Sequence, residues 1–193
     1  MNATLIYYSK RRNSPLFAAI AIIAREDDSM RPQTIREKQA LETKMNQTRK
    51  ECIDMTRKQI ENQYPMNDWN CAERVLHGAD QAHGLDIPEE SFKLIGGFGG
   101  GMGCERTCGA LCGAVAAIGQ KYITGSAHQT AGLKDACADM VHTFERELGS
   151  IECAQLKKRH RREDTGCREL ILRAGELLDQ VIARCETTGE SAQ

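Results

Sequence analysis

Several things are scarce in this sequence. Aromatic residues make up 5% of its 193 positions, with a single Trp, so it lacks the ring platforms on which nucleic-acid bases stack. Charge is nearly balanced: 26 Lys and Arg against 27 Asp and Glu leave a net charge of −1. That balance excludes a nucleic-acid binder that works mainly by electrostatics. No apolar run approaches the about 20 residues that cross a bilayer. Leu16 to Ala24 is too short, and Cys108 to Gly119 is closed off by Arg106 and by Gln120-Lys121. No segment alternates polar and apolar with period two, which predicts an all-α fold. There is no Cys-x-x-Cys, which excludes a thioredoxin-type motif, and no Cys-x-x-Cys-His, which excludes c-type haem attachment. The five His form no His-x3-His pair of the kind that binds metal. No internal repeat is present.

What the chain does have is nine Cys and 17 Gly. Nine is odd, so complete internal pairing is impossible, and nine in this length is too sparse for a small disulfide scaffold. Function is therefore to be sought among the cysteines.

The organisation reads as four stretches. Residues 1–30 form a tail or upstream extension, with Lys10-Arg11-Arg12 ahead of the short apolar run. This layout has some likeness to an export signal. Pro15 sits inside the expected apolar core, however, so the preferred reading is a cytoplasmic, reducing location, where free thiols persist. Residues 31–65 read as an N-terminal helix with a thin stripe of Leu41, Met45, Cys52 and Met55, which leaves room for pairing in a homodimer. Residues 66–186 form a cysteine-rich helical domain, and 187–193 a frayed tail.

Within the domain, Asn70 and Glu73 make a capping box ahead of Val75, Leu76, Ala79 and Ala82, and Gly84 stops that helix. Pro88-Glu89-Glu90 opens a short helix. The run Gly96-Gly97-Phe98-Gly99-Gly100-Gly101-Met102-Gly103 is too rich in glycine for a regular helix. Thr107 is placed to cap a buried helix of small residues, Cys108 to Gly119. Further helices are predicted over about 127–148 and 167–184, with a short turn through Cys153. The sum is a compact domain of five to six helices plus the N-terminal helical extension.

Four cysteines fall near predicted helix starts: Cys71 after Asn70, Cys108 after Thr107, Cys153 three residues after Ser150, and Cys167 two after Thr165. Unpaired amides and the positive helix end favour an anion there, so these thiols are expected to have lowered pKa values and to meet in one thiolate-rich site. Cys104 and Cys112 flank Cys108 and offer extra sulfurs. Cys71, Cys104, Cys108, Cys112, Cys153 and Cys167 are the candidate ligands for a metal or an iron–sulfur cluster. The glycine loop matches neither the dinucleotide fingerprint nor the P-loop. Gly99, Gly100, Gly101, Gly103 and Thr107 are expected instead to hold a bound group beside Cys108 through the loop. Cys137 reads as core, and Cys52 and Cys185 as packing or surface residues. The basic run Lys157 to Arg162 reads as a solvated face.

Trp69-Asn70-Cys71-Ala72-Glu73, the loop Gly97 to Gly103, Thr107-Cys108-Gly109-Ala110-Leu111-Cys112-Gly113-Ala114, Gly149-Ser150-Ile151-Glu152-Cys153 and Cys167 together resemble the C_GCAxxG_C_C family of redox-active proteins. The resemblance implies that Cys71, Cys108, Cys153 and Cys167 are the signature cysteines. Cys104, Cys112 and the long N-terminal segment depart from the pattern. Three functions follow. In the first, the thiolates ligate a metal or iron–sulfur cluster for electron transfer or metal handling. In the second, the chain is a thiol–disulfide redox protein with Cys108 as the attacking thiolate. In the third, it is a non-catalytic interaction module. A redox partner is expected, without nucleic acid or a membrane span.

Overall fold

The computed structural model describes residues 36, 39, 40, 43, 47, 53–65 and 68–188. The chain divides into two units, Met1–Ile53 and Asp54–Gln193. In the first, residues 36, 39, 40, 43 and 47 are helical, and the Thr43 hydroxyl donates to the Gln39 carbonyl at 2.8 Å. The expectations for residues 1–30, for Leu41, Met45 and Cys52, and for 189–193 fall outside the described residues.

The second unit carries seven α-helices among the described residues: α1 Met55–Gln63, α2 Cys71–His83, α3 Glu89–Gly96, α4 Gly109–Tyr122, α5 Leu133–Leu148, α6 Cys153–His160 and α7 Arg168–Thr188. No strand is present among them, so the fold is all-α as predicted. The sequence assigns α1 to the N-terminal helix, yet it packs within this unit, against α2 and α7. Its Ile60 fills space left by two glycines. A Cβ on Gly78 of α2 would stand 2.5 Å from Ile60 Cγ1, and one on Gly175 of α7 would stand 3.0 Å from Ile60 Cδ1.

The α2 capping box forms as expected. Asn70 Oδ1 accepts from the Ala72 and Glu73 amides, and Glu73 accepts from the Asn70 amide. The helix ends at Gly84, whose φ of 56° suits glycine. The small residues of α4 let it lie against α2 with backbones in contact, since a Cβ on Gly113 would collide with the Ala72 carbonyl oxygen. Leu111, Ala114, Ala117 and Ile118 are buried there. The predicted helix over 127–148 starts later than expected. A single turn at Ala127–Gln129 is followed by Gly132 with φ 73°, and α5 begins at Leu133. Long α7 packs on α1, α2, α4 and α5 and supplies Leu177, Leu178 and Val181 to the core, each with no exposed surface.

One buried polar tie crosses this core. Asp179 of α7, 2% exposed, accepts from the Thr56 amide at 2.9 Å and the Thr56 hydroxyl at 2.6 Å, and lies 2.8 Å from His83 Nε2. Burial raises its carboxyl above the usual range, and these partners oppose that rise. The tie joins α1, α2 and α7 at one point, the kind of fully partnered network that fixes a single packing arrangement.

Candidate thiol site

Cys71, Cys108, Cys153 and Cys167 all stand at helix starts. Cys71 and Cys153 are the first residues of α2 and α6. Cys108 is the cap residue of α4, and Cys167 immediately precedes α7, its carbonyl accepting from the Ile171 amide at 3.0 Å. Thr107, expected as the cap of α4, does not serve there. It pairs instead with Glu152 in an antiparallel bridge. That bridge clips two helix starts together: the Cys108 amide donates to the Ile151 carbonyl at 2.8 Å, and the Cys153 amide to the Arg106 carbonyl at 2.6 Å.

Contacts through the glycine positions bring the remaining pieces in. A Cβ on Gly109 would stand 2.6 Å from Cys71 Sγ, so α4 begins directly against the Cys71 thiol. A Cβ on Gly101 would stand 2.6 Å from Cys153 Cβ, and its φ of 68° independently favours glycine. Gly99 lies on the Asn70 side chain, whose Nδ2 also donates to the Gly96 carbonyl at 2.9 Å. Asn70 thus caps α2 and anchors the loop with one amide group. Gly100 and Gly103, also at positive φ, face open space. Met102 and Glu105 adopt φ of 57° and 61°, which are strained for residues with a side chain. Glu105 is tied by Lys157 Nζ at 2.6 Å.

Cys71 Sγ lies against the start of α4, and negative charge there would oppose ionisation of Cys108, Cys112, Cys153, Cys167 and the Tyr64 phenol. The expectation of lowered thiol pKa values is overturned for Cys108, Cys112, Cys153 and Cys167. Burial pushes Cys108, 4% exposed, up to about 12, and Cys71 adds to the rise. The amides of Ala110 and Leu111 pull the other way without closing a cap hydrogen bond. Burial also raises Cys112, Cys153 and Cys167. Lys157 opposes the rise at Cys153, and Arg161 followed by Lys157 opposes it at Cys167. Removing a thiolate from water outweighs the favourable helix-end field, which acts only within one turn.

Cys104 and Cys112 part company. Cys112 is half-buried on α4 and within reach of the Cys71 charge, whereas Cys104 is exposed and turns its thiol to the Gly101 carbonyl at 3.6 Å. Cys137 and Cys185 are half-buried against the core. Thiols have the donor chemistry a soft metal needs. As they stand, no three His, Cys, Asp or Glu side chains among the described residues are grouped closely enough to hold an ion.

The family described as "Putative redox-active protein (C_GCAxxG_C_C)" matches residues 69–181, more than half of the chain. The chain belongs to this family. No curated protein and no solved structure matches it. The span matched by the C_GCAxxG_C_C family opens one residue before the cap Asn70 and closes inside α7, so it contains all four helix starts. No helix among the described residues is long and apolar enough to cross a membrane.

Sequence reasoning missed Tyr64, Arg74 and Arg168. Tyr64 precedes the matched span, and its ring lies under two guanidinium groups, Arg74 at 3.8 Å and Arg168 at 4.9 Å from the ring centre. A signal was available in the sequence. Arg168 follows Cys167 directly and Arg74 follows Cys71 by three, so two cations stand in helix starts, where the macrodipole disfavours positive charge.

Proposed function

We propose that the converging thiols are the redox centre of this C_GCAxxG_C_C protein and take up a soft metal ion or an iron–sulfur cluster. What supports the reading is that Cys71, Cys108, Cys153 and Cys167 each stand at a helix start, with Cys71 Sγ against the start of α4 and the starts of α4 and α6 clipped together. Cys71, Cys108, Cys153 and Cys167 would hold the group, with Cys112 as the spare sulfur beside Cys71. When bound, such a group supplies electron transfer. The chain's own part is preparation. Burial and the nearby Cys71 keep the Cys108 thiol protonated. A cation taking the place of the protons relieves both penalties at once. The Ala110 and Leu111 amides stabilise negative charge on Cys108, and Lys157 and Arg161 do so on the outer thiols. Because four helix starts share the site, ligation would draw in the side chains and brace the fold.

A second reading, thiol–disulfide exchange, is favoured by the cations beside Cys153 and Cys167. Two of the thiols would give up two electrons and two protons to a disulfide oxidant and close a bond between their sulfurs. A pKa of about 12 counsels against Cys108 as the attacking thiolate and points to the outer pair.

Elemental analysis and a visible spectrum of protein purified without oxygen separate the two. Stoichiometric metal, lost in Cys71→Ser, is the expected result. Colourless, metal-free, folded protein that reduces a disulfide reagent overturns the metal reading in favour of exchange. Folded protein that does neither overturns both.

A further inference from the structure

We propose that Tyr64, Arg74 and Arg168 form a binding site for a small anion, a carboxylate or inorganic oxyanion, beside the thiols Cys71 and Cys167. This deepens the reading of the thiols as working groups, rests on it, and supplies the class of substrate or ligand they meet.

The two guanidinium groups are gathered on a single ring, 3.8 and 4.9 Å from its centre. Attraction to the ring face offsets part of their mutual repulsion. Arg74 Nη1 donates to the Tyr64 carbonyl at 3.4 Å, which helps hold it over the ring, and an anion beside the two cations would offset their mutual repulsion. Arg168 is the first residue of α7, next to Cys167, and Arg74 lies one turn into α2 from Cys71. The same Tyr64 phenol feels the charges of Arg74, Arg168, Cys167 and Cys71, so cations and thiols surround one ring.

An unanswered donor says that something completes this place. Arg168 Nε is buried without a hydrogen-bond partner. Buried orphan donors cost about 1–3 kcal/mol each, and native proteins keep few of them unless an ion, water or ligand answers them. The planar donor fork of arginine matches carboxylates and oxyanions in shape as well as charge. An anion held here stands beside Cys71 and Cys167, where a reducible or thiol-reactive substrate needs to be.

The test is calorimetric titration of the full-length protein, as purified without oxygen, with sodium sulfate and separately with sodium acetate, against chloride at matched ionic strength. Saturable one-site binding of either anion is expected, sulfate marking an oxyanion site and acetate a carboxylate site. Arg168→Gln is expected to weaken it on the order of tenfold or more. Should that variant not fold, Arg168→Lys, which keeps the charge and loses the fork, is expected to bind more weakly than the parent. Absence of saturable binding by both anions, or unchanged affinity in the folded variant, overturns the inference. Metal content and disulfide reactivity measured on the same sample report the thiol centre separately. A working centre without anion binding sinks this site alone, and anion binding without a working centre sinks only the function proposed for the thiols.

Discussion

Helix α7 buries polar groups on opposite terms at its middle and at its start. Around Asp179, in the middle, every buried group has a partner: the Thr56 amide and hydroxyl and His83 all meet one carboxylate. Around Arg168, at the start, a guanidinium nitrogen is buried without a partner and the adjoining thiol Cys167 is held protonated by burial. The first arrangement spends polar groups on stability. The second leaves them uncompensated, which costs stability unless something is bound. Such a deficit, beside full pairing elsewhere in the same helix, is what the proposed anion would relieve.

The largest expected effect tests the satisfied middle of the helix. Asp179→Ala leaves the Thr56 amide buried without a partner and the Thr56 hydroxyl with only the His83 ring, at 3.3 Å, and is expected to cost about 3 kcal/mol in urea unfolding, with the reactivity of the folded protein's thiols unchanged. A loss below about 1 kcal/mol would erase the contrast between the two regions.

The next tests the cost of the thiol end through pH. An unfolded Cys108 releases its proton near pH 9, whereas the folded one holds it to about 12. The folded state therefore binds more protons in that window, so stability falls as pH rises from about 9 towards 12 and is unaffected below. Each pH unit inside the window costs about 1.4 kcal/mol. Between pH 8 and 10 the parent is expected to lose about 1 kcal/mol more than Cys108→Ala, read from unfolding curves of metal-free protein. Equal losses would place Cys108 in a wetter setting than its burial indicates.

The smallest concerns Gln63. Gln63→Leu removes two orphaned polar atoms at nearly constant volume and is expected to stabilise the protein by about 1 kcal/mol. Destabilisation by a similar amount would mean that the amide is partnered in solution.

Much of the helical plan was legible because its signals are local. Asn70 with Glu73 announced the start of α2, and Gly84 its end. The cysteines were readable as a group because each lies within three residues of a recognisable cap or turn. Thr107 misled for a reason outside its own neighbourhood: a strand-like bridge to Glu152, forty-odd residues away in the chain, claims its backbone and leaves Cys108 to begin α4. The gap at Thr130-Ala131-Gly132 was missed because only Gly132 adopts a backbone angle that glycine favours, and one glycine in a helical pattern is often tolerated.

The thiol pKa values failed for a different reason. The field at a helix end follows from sequence position, but desolvation depends on what packs over the sulfur. At Cys108 that cover comes from the rest of the fold and prevails. In the same way, residue order settled that the fold would be helical and that four thiols would sit at helix starts, since caps, periodicity and the first turn are properties of neighbours along the chain. That Cys71 lies against the start of α4, that Cys104 turns away, and that Tyr64 gathers two arginines beside the site were settled by packing, because they depend on distances between segments that no local pattern encodes.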